Sequence, residues 1–267
     1  LMVKDMSESK MLAEKQDGIG RMIFNNPERH NAVSLDMWDA AEEILNNFVE
    51  DESIRVVVLS GAGGKAFVSG ADISKFDSER GSKEAVLNYN KRVGAVYRFV
   101  HEFPKPTIAE VNGYCIGGGL GLAVCCDLRF CSEKSKFSLP AGKLGLGYGF
   151  EALKRLVDTV GPGVSRDIAF SARRLDADEA LRVGLVQRVL PEDELKEFVQ
   201  DYAKTVTTNA PLTVKSMKHI INEILKLESD QDLEACQRMV DQAYASEDYI
   251  EGRHAFMEKR PPQFKGK

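Results

Sequence analysis

No stretch of the 267 residues stays apolar for the roughly 20 residues that a bilayer-spanning helix needs, so the sequence offers no transmembrane candidate. The first residues, LMVKDMSESKMLAEKQDG, also lack the apolar run of a secretory leader, and a cytoplasmic location is expected. Excess positive charge is missing too. The net charge is −5, which provides no electrostatic footprint for nucleic acid. The five cysteines are odd in number and show no zinc-ligand spacing. Four of them, Cys115, Cys125, Cys126 and Cys131, crowd into one apolar region and read as buried, reduced thiols. Neither a low-complexity tract nor an internal repeat is found. What remains is a chain with 43% hydrophobic residues, long enough for one large domain or one domain with a smaller attachment.

Strand-like and helix-like segments alternate along it. MWDAAEEILNNFVED spaces Met37, Ala41, Leu45 and Phe48 along one helical face. IRVVVLSGAGG is a β-branched run stopped by glycines, as in a buried strand. A helix is predicted from Ser82 to His101, then a strand over KPTIAEVNGYC, then a helical pattern begun by a glycine triplet. CDLRFCSEKSKFSL reads as a further strand and its turn. This alternation predicts an α/β fold. From about Asp176 the sequence becomes more charged and amphipathic, as in ELKEFVQDYAKTVTT, which predicts a smaller helical part.

The triplet lies in GYCIGGGLGLAVCCD, Gly113 to Asp127, where glycine weakens helix and strand alike. A strand entering glycines and then a helix leaves backbone N–H groups unpaired, which suits an anion or a developing oxyanion. Close helix–strand packing would also call for glycine. A dinucleotide loop fits poorly, because GGGLGL lacks the required glycine spacing. A second segment, KAFVSGADI, also follows a strand and sets Ser69, Gly70 and Ala71 at a turn. Amides from two loops can converge on one carbonyl oxygen and stabilise an enolate.

NNPERHNAVS, GGKAFVSGADI, KPTIAEVNGYCIGGGLGLAVCCDLRF, ARRLDADEALRVGLVQRVLP and SEDYIEGRHAFMEKRPPQF occur in the order and spacing of the crotonase (enoyl-CoA hydratase/isomerase) superfamily, which the chain resembles from about residue 10 onward. The resemblance implies a spiral of ββα units over residues 1–190. It also implies a helical oligomerisation region over residues 191–267 that builds homotrimers or homohexamers. The implied substrate is an acyl-CoA thioester, with no cofactor beyond the coenzyme A it carries, no metal, and neither nucleic acid nor membrane as partner. The implied oxyanion donors are the backbone N–H groups of Ala71 and Gly118. The loop at His30, Asn31 and Ala32, with Ala71, Asp72 and Ile73 and with Gly117 and Gly118, would hold the coenzyme A.

The family's acids are absent. Hydratases of the family carry one glutamate two residues past the third glycine and another after the proline of an F-x-x-P segment. Here those places hold Gly121 and Ala141. The place of the aspartate nucleophile in family dehalogenases holds Gly149. Tyr148 and Glu151, in LGYGFEALKRL, are the polar groups left nearby and the candidate acid–base residues. The methylmalonyl-CoA decarboxylase branch has a tyrosine in the place of Tyr148, although it also has a histidine where this chain has Ala71 and keeps the first glutamate. Tyr148 could equally pack over the acyl chain, and Glu151 could be a favourable acid in a helix's first turn. The expectation is a thioester-enolate enzyme, a decarboxylase or carbon–carbon-cleaving variant. The alternatives are an unconventional enoyl-CoA hydratase of fatty-acid or aromatic-acid degradation, or a catalytically silent acyl-CoA-binding protein. Asp72 is expected to cap a helix and Asp127 to order a turn. Lys259 and Arg260 could meet coenzyme A phosphates or form a solvated pair.

Overall fold

The computed structural model describes residues 9–267, so the leader and first-domain readings of residues 1–8 lie outside the described residues. The described residues open with a hairpin, β1 (Met11–Gln16) and β2 (Ile19–Phe24), closed by Asp17 and Gly18, both at positive φ. After α1 (Leu35–Glu50) the same unit is written three times: a strand of one sheet, a strand of a second sheet, then helix. The first runs β3 (Val56–Gly61), β4 (Ala66–Val68), α2 (Phe76–Arg80) and α3 (Lys83–Glu102). Next come β5 (Thr107–Val111), β6 (Tyr114–Ile116) and α4 (Gly118–Ala123). The last runs β7 (Leu128–Ser132), β8 (Lys136–Ser138), α5 (Ala141–Leu144) and α6 (Phe150–Ser171). β9 (Leu175–Asp176), α7 (Ala177–Arg182) and β10 (Arg188–Leu190) follow. The large sheet has the order β1-β2-β3-β5-β7-β10, parallel beyond the opening hairpin. The small sheet has the order β4-β6-β8-β9, parallel except for β9. This is the expected α/β spiral of ββα units.

Two expectations change. KPTIAEVNGYC is not one strand. Gly113, at φ +77°, turns the chain from the large sheet to the small one, and a Cβ there would sit 2.0 Å from the Lys65 carbonyl oxygen. The region after Asp176 is not helical throughout either, because β10 pairs with β7 at the large sheet's edge.

The core fills the space between the sheets and their helices, with Trp38, Phe24, Phe48, Phe67 and Phe137 fully buried. Met37, Ala41, Leu45 and Phe48 lie inward on α1 as their spacing required, joined by Trp38. The other face of the large sheet is covered by α8 (Glu192–Thr207), whose Leu195, Val199 and Ala203 meet Ile19, Val56, Val58 and Ile108. A division after residue 190 therefore separates the sheet from its own covering helix. α9 (Pro211–Ile224), α10 (Leu233–Tyr244) and α11 (Glu247–Glu258) complete the chain. Among the described residues no helix is long and apolar enough to cross a membrane. All five cysteines are free, and Cys115, Cys125, Cys126 and Cys131 are buried.

Candidate active site

The two glycine-bearing loops leave the ends of adjacent parallel strands, β4 and β6, which pair Ala66 with Tyr114 and Val68 with Cys115. They stay side by side beyond the sheet. A Cβ on Gly117 would lie 3.9 Å from Gly70 Cα. The first loop is pinned by Val33, whose N–H donates to Gly70 O (2.9 Å) and whose carbonyl accepts from Asp72 N (3.0 Å). Groups at 70 and 72 thus face Val33, and extended backbone turns the intervening Ala71 N–H the other way. Gly118 opens α4, so its N–H has no intrahelical acceptor. Among the described residues neither amide has an acceptor.

The triplet satisfies both physical demands that its sequence left open. Gly117 takes φ +56°, ψ −114°, which a side chain would strain. Gly119 meets the packing demand, since a Cβ there would fall 2.1 Å from Val68 O. Gly118, between them, carries the free donor.

Gly121 has its own explanation. A Cβ at 121 would lie 2.8 Å from Tyr148 Oη, 2.9 Å from Tyr97 Oη and 3.0 Å from Tyr97 Cε2. The space beside Gly121 is filled by two tyrosine hydroxyls. Tyr97 Oη donates to Gly118 O (2.8 Å) and Tyr148 Oη donates to Gly117 O (3.1 Å). Gly117 O and Gly118 N–H belong to one peptide unit, so Tyr148 polarises and fixes the group whose other end is the candidate oxyanion donor. Burial pushes the Tyr148 hydroxyl well above the usual phenol range, with Cys125 the next contributor, and does the same to Tyr97. Both stay protonated at neutral pH.

Tyr97 escaped the sequence reading. The signal was present in the α3 stripe Tyr89, Val93, Val96, Tyr97, Val100, all buried, but such a stripe reads as core. Its edge-to-face contact with Trp38, at 5.7 Å between centroids, holds the ring.

Glu151 is not brought to the pair. It stands in the first turn of α6 and faces guanidinium groups, Arg98 on α3 (3.4 Å) and Arg155 one turn on (3.9 Å). It ties together the helix that carries Tyr97 and the one that follows Tyr148. Asn31 is likewise structural. Its fully buried amide accepts from Asn26 N–H (2.8 Å) and donates to Ala62 O and Ala66 O (2.9 and 2.7 Å). His30 is exposed and Ala32 half-buried, leaving these two and the loop backbone to face a ligand. Asp72 caps the short turn beginning at Ile73, accepting from Ser74 N–H and pairing with Arg29 (3.2 Å), whereas Ile73 is 66% exposed. Asp127 accepts from Thr107 and Lys218. Arg260 is held by Glu251 and Glu258. Ala141 opens α5, and Gly149 precedes α6 with open space about it. A wide apolar cavity of about 700 Å³ lies elsewhere, among α9, α10 and α11.

Residues 14–267 match the enoyl-CoA hydratase/isomerase family. The short-chain-enoyl-CoA hydratase of Clostridium acetobutylicum is 34% identical over 258 residues, 96% of this chain and 97% of that protein. The crotonyl-CoA hydratase of Syntrophomonas wolfei is 32% identical, covering 97% and 99%. The crystal structure of an enoyl-CoA hydratase/carnithine racemase from Magnetospirillum magneticum superposes with a TM-score of 0.90 at 34% identity, covering 97% of this chain and 96% of that one.

Proposed function

This chain belongs to the enoyl-CoA hydratase/isomerase family, and from that premise we propose that it forms a thioester enolate whose proton chemistry rests on a tyrosine instead of a carboxylate pair. The observation that carries this reading is the filling of the Gly121 position by the hydroxyls of Tyr148 and Tyr97 beside two unengaged amides. The thioester oxygen is taken by the N–H groups of Ala71 and Gly118, and His30, Ala32 and the exposed Ile73 flank the coenzyme A. Decarboxylation fits this equipment. The bond between the carboxylate carbon and the α carbon breaks, carbon dioxide leaves, and the electron pair passes into the enolate held by the two amides. Tyr148 then exchanges its hydrogen bond to Gly117 O for proton delivery to the α carbon, and solvent returns the proton. A related carbon–carbon cleavage would use the same groups. A phenol pushed upward by burial is a poor base for activating water, yet it can protonate an enolate.

Hydration is the second reading, favoured by the names of the relatives in Clostridium and Syntrophomonas. It requires another group, or an ordered water, to take the glutamates' place. An acyl-CoA binder without turnover is the third. A panel of acyl-CoA thioesters, followed by release of carbon dioxide or free coenzyme A and by crotonyl-CoA hydration, separates them. Tyr148→Phe should lower turnover about a hundredfold, the scale of one acid–base group, with little change in acyl-CoA affinity. Hydration of crotonyl-CoA at full hydratase rates by both wild type and Tyr148→Phe would refute the tyrosine reading.

A further inference from the structure

Arg80 ends α2, directly before the turn into α3, and its guanidinium is stacked. The Cζ atom lies 3.7 Å from the ring centroid of Tyr89 and 4.5 Å from that of Phe76. Such stacking fixes the plane of the guanidinium without satisfying its donors. Among the described residues the buried Nε atom has no hydrogen-bond partner, and no carboxylate pairs with the group. Its neighbour Glu79 is already spent, accepting from Leu35 N–H (3.0 Å). A buried guanidinium donor with nothing to bond is costly to keep unless a ligand completes it.

Its surroundings point toward the site. Tyr89, against which it stacks, is on the inward face of α3 together with Tyr97. The Arg80 charge reaches Tyr97, where it works against the upward push of burial, and Tyr89 bears on both Tyr97 and Tyr148. Two helical turns, about 12 Å, separate Tyr89 from Tyr97 along α3.

We infer that Arg80 binds a carboxylate at the far end of the substrate's acyl chain, distinct from any that leaves as carbon dioxide, so that the preferred thioesters carry a terminal carboxylate. The inference rests on the acyl-CoA reading of the site and adds the substrate class. The carboxylate in question stays with the product. Carbon dioxide leaves uncharged, so a guanidinium on a departing carboxylate would stabilise the ground state more than the transition state. Arg80 is therefore a specificity residue and takes no part in bond making. Planarity matters to this role, because a fork of donors matches a carboxylate in a way that a lysine ammonium does not.

Calorimetric titration with glutaryl-CoA and butyryl-CoA tests it, since the two differ in the terminal carboxylate. Wild-type protein should bind glutaryl-CoA more tightly by about tenfold to a hundredfold, the scale of charge-assisted hydrogen bonds. Arg80→Met retains an apolar stem between the rings, and it should erase that preference while leaving butyryl-CoA affinity unchanged. Equal binding of the two esters by wild type would overturn this inference alone, and that comparison needs no variant. A preference that survives in Arg80→Met would overturn it as well. Binding of neither ester by folded protein would overturn both this inference and the acyl-CoA reading beneath it.

Discussion

A single methyl group at position 121 measures how fully the two tyrosines fill the space beside Gly121. Gly121 is interior to α4, and its φ is not positive, so alanine suits the backbone. On helix preference alone, Gly121→Ala should stabilise by about 1 kcal/mol. The surroundings oppose it. The new Cβ would meet Tyr148 Oη at 2.8 Å, Tyr97 Oη at 2.9 Å and Tyr97 Cε2 at 3.0 Å, closer than carbon ordinarily approaches any of them. Overpacking of this kind costs about 1–3 kcal/mol. Displacing Tyr148 also weakens its bond to Gly117 O, a further loss of about 1 kcal/mol. The balance is a net destabilisation of about 1–3 kcal/mol. Combining Gly121→Ala with Tyr148→Phe removes the shortest contact and should recover part of that loss, a coupling on the order of 1 kcal/mol. Urea denaturation at one fixed protein concentration reads both quantities. A Gly121→Ala protein that gains the full helix preference, or a cycle with no coupling, would refute the claim that hydroxyls fill this position. The same geometry means that a glutamate cannot simply be placed at 121, for its Cβ would meet the same hydroxyls.

Two further outcomes follow from other parts of the molecule. Arg129 is buried, has no carboxylate partner among the described residues, and donates to the carbonyls of Ala123, Cys126 and Leu185 (3.2, 2.7 and 2.7 Å); Arg129→Met strands these acceptors and should cost at least about 3 kcal/mol by denaturation, whereas a loss below about 1 kcal/mol would contradict this role. We propose that the apolar cavity among α9–α11, with Phe256 and Met257 about four-fifths exposed beside it, is closed by further copies of the chain in a homotrimer or homohexamer; light scattering should report such an assembly at micromolar concentration, and a monomer there would contradict it.

The parts of the fold legible in sequence were those written in short-range patterns. The α1 face and the β-branched run of β3 emerged where their spacing put them. The break at Gly113 was less visible, because a glycine between two β-rich stretches looks the same whether the chain continues or turns onto a second sheet. The strand β10 is three residues long and owes its pairing to β7, more than fifty residues earlier, so no local pattern marks it. The site divided similarly. The side-by-side placement of the two glycine-bearing loops was foreshadowed by their shared strand-then-glycine pattern, whereas the occupant of the Gly121 position was not. Tyr97 reaches that position from α3, and only the packing of α3 against α4 brings the ring there. Asn31 and Glu151 carried the polarity expected of site residues, but tertiary contacts assign their groups to backbone carbonyls and to arginines.

The most direct test of the central claim is a crystal structure with an unreactive acyl-CoA analogue bound. The account places the oxygen that stands for the thioester carbonyl about 2.7–3.1 Å from both Ala71 N and Gly118 N, the distance that oxyanion donors keep. Tyr148 Oη should lie within reach of the α carbon, with no carboxylate side chain beside it. An oxygen bound away from either amide, or an aspartate or glutamate found at the α or β carbon, would contradict the account.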